Sequence, residues 1–260
     1  MRKHLLILAG AILLTGCGGS KTEEKKAEGG DSVAPKAVSS APIDLATTGS
    51  VSGKVEFAGE KPAVRNISMD AVPSCAKQHP GPIPSEDVVV NENGTLKNVF
   101  VYVKSGLQPR EWPVPTKSVA LDQKGCIYTP HVLALQVGQD LEISNSDPTN
   151  HNIHPIPRVN KEWNESQPPQ GDKKIKQFAK QETMIAFKCN VHPWMRAYVN
   201  VVDHPFFTLT GEDGSFDLKG LPAGEYTLEA VHERFGSQEM KVTVAPQKAS
   251  AAAFRFKASE

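Results

Sequence analysis

Short β-branched and aromatic runs separated by turn residues most constrain what this chain can become. Ser118 to Asp122, Cys126 to Tyr128, Val132 to Val137 and Leu141 to Ser146 follow one another at roughly eight to ten residues, with Gly138-Gln139-Asp140 turning between the last two. No amphipathic helical pattern of comparable length accompanies them, so the reading is all-β, a sandwich or barrel. The 20 Gly and 20 Pro supply the turns. A further alternating run, Leu96 to Val103, follows the hairpin signal Asn91-Glu92-Asn93-Gly94. Val99, Val101 and Val103 fall on one face and Phe100 and Tyr102 on the other, which predicts a strand covered on both sides.

The first residues read as an address. Arg2 and Lys3 precede the short apolar run Leu5 to Leu14, too short to span a bilayer, and Leu14-Thr15-Gly16-Cys17 resembles the lipobox of bacterial lipoprotein signal peptides. That resemblance implies a signal peptide over 1–16, cleavage before Cys17 and lipidation of its thiol; a plain secretory signal is the alternative. Gly18 and Gly19 follow, with no Asp to retain the protein at the inner membrane, so the expected place is the periplasmic face of the outer membrane. Residues 17–50, rich in Lys, Glu, Gly, Ser, Ala and Pro, read as a disordered tether.

The 29 basic and 29 acidic residues balance, which gives no support for a nucleic-acid surface. No nucleophile with an adjacent base and no phosphate loop appears, so the chain reads as a non-enzyme. Of four cysteines, Cys17 belongs to the address and Cys189 to a ligand loop, leaving Cys75 and Cys126. In an oxidising compartment these are expected to form a disulfide. Two buried thiols, or a second metal site near His79 and His131, are the alternatives.

The ligand loop is Cys189-Asn190-Val191-His192-Pro193-Trp194-Met195, at the end of the strand-like run Thr183 to Lys188. Thiolate, imidazole and thioether are soft or borderline donors that select copper over magnesium or calcium, and a trigonal His-His-Cys plane with a weak axial Met is a blue-copper donor set. One loop supplies too few ligands. The polar stretch after Leu141 to Asn145 offers His151 and His154, three residues apart and therefore facing different ways in an extended segment.

Cys-x-x-His-Pro-x-Met-Arg before a Val-rich strand, with His-Asn-x-His upstream, resembles the cupredoxins of the amicyanin and plastocyanin type. The resemblance spans roughly Lys117 to Asp203 and implies a Greek-key β-sandwich holding one type 1 copper. It makes His151, Cys189, His192 and Met195 the ligands and Asn152 the residue that hydrogen-bonds near the thiolate. It also makes the exposed edge of His192, framed by Pro193 and Trp194, the electron port. Phe187 and Asn150 depart from the family's usual Tyr and Pro.

The segment Gly214-Ser215-Phe216-Asp217-Leu218-Lys219-Gly220-Leu221-Pro222-Ala223-Gly224-Glu225-Tyr226-Thr227-Leu228 resembles the carboxypeptidase regulatory-like, transthyretin-like β-sandwich module. Gly53-Lys54-Val55-Glu56-Phe57-Ala58-Gly59 matches the opening strand of the same family. The expected layout is therefore a β region over 51–112 as the first part of that module, a cupredoxin domain over 113–205, and completion of a smaller, discontinuous sandwich over 206–260. The expected function is a membrane-anchored carrier of single electrons between redox protein partners of the cell envelope. The alternatives are an envelope binding lipoprotein for protein or carbohydrate with a structural metal site, and copper storage or delivery.

Overall fold

The first and last strands of the described residues meet in one sheet. Thr48–Ala58 runs parallel to Ala249–Lys257 on one side and antiparallel to Ser215–Pro222 on the other. Gly53 permits the close approach, because a Cβ there would stand 1.6 Å from the carbonyl oxygen of Ala252. The computed structural model describes residues 43–258. The signal-like stretch, Cys17 and most of the expected tether lie outside these residues. The first strand starts at Thr48, three residues before the expected Val51, and a short 3-10 turn over Leu45–Thr47 leads into it.

A four-stranded sheet faces this first one, in the order Phe207–Leu209, Phe100–Ser105, Gly224–His232, Gly236–Val244. Between them lie Val51, Val55, Leu96, Phe216, Leu228 and Phe256, all fully or nearly fully buried. Strands from residues 48–58, 100–105 and 207–257 thus share one core, and the strands between residues 119 and 202 build a second.

That inserted part is a second sandwich. One sheet has the order Glu165–Gln167, His151–Ile156, Glu182–Lys188, Arg196–Val202, Val132–Gln136, its last pair parallel. The other has the order Lys174–Lys176, Leu141–Asn145, Val119–Lys124, Ile127–Thr129. Leu121, Leu133, Leu141, Ile143, Ile185 and Phe187 fill the space between them. Leu141–Asn145 and His151–Ile156 alternate buried and half-buried residues over one covered face, whereas Val132–Gln136 is buried along most of its length.

Phe100–Ser105 joins the two halves through its alternation. Val99, Val101 and Val103 enter the first core, while Phe100 and Tyr102 form a separate buried cluster with Val202 and Val231. Met184, Phe207 and Leu209 pack against that cluster, so residues of both sandwiches meet there. The Tyr102 hydroxyl donates to the Glu229 carboxylate beside it.

Two polar segments form strands. His151–Ile156 pairs with both Glu165–Gln167 and Glu182–Lys188, which overrides its weak local propensity. The lysines of 173–176 are engaged within the sandwich: Lys173 pairs with Glu142 at 2.7 Å and Lys174 with Glu165 at 3.0 Å. No helix among the described residues is long and apolar enough to cross a membrane.

Candidate metal centre

The ligand loop is positioned by the strands on either side of it. Glu182–Lys188 and Arg196–Val202 pair antiparallel, and Lys188 faces Arg196, so the seven residues between them form the closed end of a hairpin. Inside the turn, the Met195 N–H donates to the His192 carbonyl at 3.0 Å and the Cys189 N–H to the Met195 carbonyl at 3.2 Å. The next strand in the sheet, His151–Ile156, pairs with Glu182–Lys188 and starts beside this turn. Strand parity then separates the two histidines. His151 is fully buried, whereas His154 points to the other face and contacts Asn190 Oδ1 at 3.1 Å and Glu162 at 2.7 Å.

His151, Cys189 and His192 converge. The two Nδ1 atoms are 3.0 Å apart, Cys189 Sγ is 3.6 Å from His192 Nδ1, and all three donors fit within 4.8 Å of one another. A trigonal ion with bonds of about 2.0–2.3 Å needs donors roughly 3.5–3.8 Å apart, within about half an ångström of this spacing. Met195 is fully buried in the same core cluster as Cys189. The residues present therefore fit a copper ion: a thiolate and two imidazoles brought together through their Nδ1 atoms, with a buried thioether on the same loop.

The thiol is prepared for ligation. Burial pushes the Cys189 thiol up, but hydrogen bonding from His151 and the backbone N–H groups of Asn152, His192 and Val191 outweighs it and holds the thiol below its ordinary range. The Asn152 N–H reaches Sγ at 3.3 Å. The Asn152 side chain accepts from the Asn190 N–H at 3.1 Å, tying the two segments together. Tyr128, buried between them, donates its hydroxyl to the carbonyls of Asn152 and Lys188.

The outer nitrogens have partners that the sequence did not reveal. His151 Nε2 contacts Asp147 Oδ2 at 2.7 Å, and the Asp147 carboxylate accepts the N–H groups of Gly125 at 2.6 Å and Cys126 at 2.7 Å. Burial works against the Asp147 anion, yet these donors hold its pKa below the usual carboxylate range. The same contact lifts His151 above the ordinary histidine range against its burial, while burial and the neighbouring His151 push His192 below it. An Asp before a Pro in a polar loop reads as a turn residue, and only the fold shows that Asp147 is 1 % exposed.

Cys75 and Cys126 form a disulfide, and it lies against the site. Cys75 Sγ is 3.5 Å from His192 Nε2. The segment carrying Cys75 therefore covers the edge expected to be exposed, leaving the His192 side chain only 1 % accessible. Trp194, expected at the same port, is half-buried; its ring lies 5.3 Å from that of His192 and its Nε1–H donates to the Cys126 carbonyl at 3.0 Å. Pro193 remains exposed. His79 binds the Gly125 carbonyl at 2.7 Å, next to Cys126, and His131 contacts Glu233, near Asp87.

Residues 189–259 match the family model of the ER membrane protein complex subunit 7 beta-sandwich domain, rather than the carboxypeptidase regulatory-like module. The match opens at Cys189 and so includes the ligand loop and the metal-sandwich strand Arg196–Val202 as well as the first sandwich's C-terminal strands. No curated protein matches the chain significantly. Similar solved structures include a purple cupredoxin from Nitrosopumilus maritimus, 24 % identical over 32 % of this chain and 97 % of that one, with a TM-score of 0.27. The copper-containing nitrite reductase NirK from Thermus scotoductus SA-01 is 23 % identical over 38 % of this chain and 25 % of that one, with a TM-score of 0.28. A copper(I) amicyanin variant is 22 % identical over 39 % and 97 %, with a TM-score of 0.29.

Proposed function

We propose that the chain binds one type 1 copper and carries single electrons. The observation that carries this reading is the buried convergence of His151 Nδ1, His192 Nδ1 and Cys189 Sγ. Copper held there supplies a one-electron redox couple. The protein's part is to fix the donor geometry, so that little reorganisation accompanies a change of oxidation state, and to keep water away. His151, Cys189, His192 and Met195 are each at most 2 % exposed, which favours outer-sphere transfer over substrate chemistry at the ion and retention of copper over its delivery. His151, Cys189 and His192 would hold the ion with Met195 as a further donor, and Asn152 and Asp147 would keep those side chains in place.

Burial of His192 moves the electron port outward. Val191, Pro193 and the half-buried Trp194, which flank His192 on the ligand loop, would meet a redox protein partner. The lipobox-like stretch supports attachment through Cys17 to the envelope membrane, facing the periplasm. The β-sandwich built from the chain ends then serves as the scaffold that carries the metal sandwich.

Copper loading of the chain tests the proposal. One equivalent of copper with an intense visible thiolate-to-copper absorption is expected, lost in Cys189→Ser; a copper-loaded protein that stays colourless overturns it. Cys17→Ser should release the protein from the membrane fraction.

A further inference from the structure

The disulfide and both imidazoles form one connected unit. Cys75 Sγ lies 3.5 Å from His192 Nε2, the nitrogen that points away from the other donors. The second half of the same disulfide, Cys126, gives its backbone N–H to Asp147 at 2.7 Å, and Asp147 bonds His151 Nε2 at 2.7 Å. Cys126 also accepts from Trp194 of the ligand loop through its carbonyl. Each imidazole thus presents Nδ1 to the metal position and Nε2 to an element anchored on Cys75–Cys126.

A ligating histidine is ordinarily oriented by a carboxylate, a carbonyl or a water on its other nitrogen. Asp147 fills that role for His151. The only side chain that contacts His192 Nε2 among the described hydrogen bonds is Cys75, whose sulfur is a weak acceptor held in place by a covalent crosslink. Both sulfurs are fully buried, in a cluster with Met69 that Ile67, Ile83 and Trp194 pack against. The sulfur is therefore the side-chain partner that fixes the ring.

We infer that the Cys75–Cys126 disulfide is a positioning element of the metal centre: His192 donates its Nε2–H to Cys75 Sγ, which fixes the tautomer that leaves Nδ1 free to ligate. The crosslink is then more than a staple between segments 51 residues apart. This inference rests on the copper reading above, and its test separates the two.

Two paired variants of the full chain remove the crosslink equally and differ only in what faces the ring. Cys75→Ser/Cys126→Ser keeps an acceptor near Nε2, while Cys75→Ala/Cys126→Ala removes it. The expected result, by chelator competition, is copper(II) binding roughly 10- to 100-fold weaker in the alanine pair than in the serine pair, with a shifted visible band. Equal affinity and an unchanged band in the two folded variants overturn the inference. Should neither pair fold, the wild type loaded with diamagnetic zinc carries the test. Its His192 Nε2–H should give a slowly exchanging proton resonance in nitrogen–proton correlation spectra; exchange at the solvent rate overturns the contact. A wild type that binds one copper without visible absorption would instead sink the copper reading and leave the zinc measurement standing.

Discussion

His151 and His192 face each other through their Nδ1 atoms at 3.0 Å, while their Nε2 atoms are held by different partners, Asp147 and Cys75. The inner nitrogens frame the candidate metal position, and the outer ones orient the rings. Each half of that arrangement makes an experimental demand.

Asp147→Asn should weaken copper(II) binding by about 10- to 100-fold, because an amide cannot accept from His151, Gly125 and Cys126 at once with the orientation the carboxylate uses. Chelator competition measures the change. Unaltered affinity would mean that His151 is oriented by its strand alone.

Asn152→Ala removes the acceptor for the Asn190 N–H but leaves the Asn152 N–H to Cys189 Sγ intact. A stability loss of about 1 kcal/mol is expected for the metal-free protein, with copper release becoming faster. Thermal unfolding and the rate of copper loss to a chelator report the two effects separately.

Phe100→Ala tests whether the two sandwiches unfold together. Phe100 is fully buried, stacked on Tyr102 at 5.0 Å and tilted against Phe207 at 6.0 Å, in the cluster to which both sandwiches contribute. The cavity should cost about 3–5 kcal/mol. In denaturant titration a single transition moves to lower midpoint if the cluster couples the halves; two separated transitions would show that it does not.

His232 gives the pH dependence. It is 2 % exposed and stacked on Phe235 at 4.6 Å, and burial pushes its pKa down to about 4. Its unfolded value is near 6.5, so between these values the unfolded chain binds the extra proton and stability rises with pH. The contribution is complete above about pH 6.5 and falls by roughly 3 kcal/mol as the pH drops to 4. His232→Phe should flatten the profile in that window, measured on metal-free protein by unfolding at successive pH values. A slope identical to wild type would contradict the assignment.

Much of this was readable from residue order. Period-two alternation placed Val99, Val101 and Val103 on one face and Phe100 and Tyr102 on the other, and the two faces enter different clusters. The spacing of Cys189 and His192, with His151 upstream, pointed to side chains that the fold brings together, because ligand chemistry calls for particular side chains wherever they sit. Asp147 was illegible for the opposite reason. Its importance comes from burial and from N–H groups donated by Gly125 and Cys126, more than twenty residues earlier.

The sequence alone determined the all-β character, the donor types and the side of the strand each histidine occupies, since these follow from local periodicity and side-chain chemistry. Only the tertiary structure decided that Thr48–Ala58 pairs with Ala249–Lys257, that His192 is covered, and that the disulfide lies against it. Those are contacts between residues far apart in the chain, and their energies depend on how whole sheets pack, which no local pattern records.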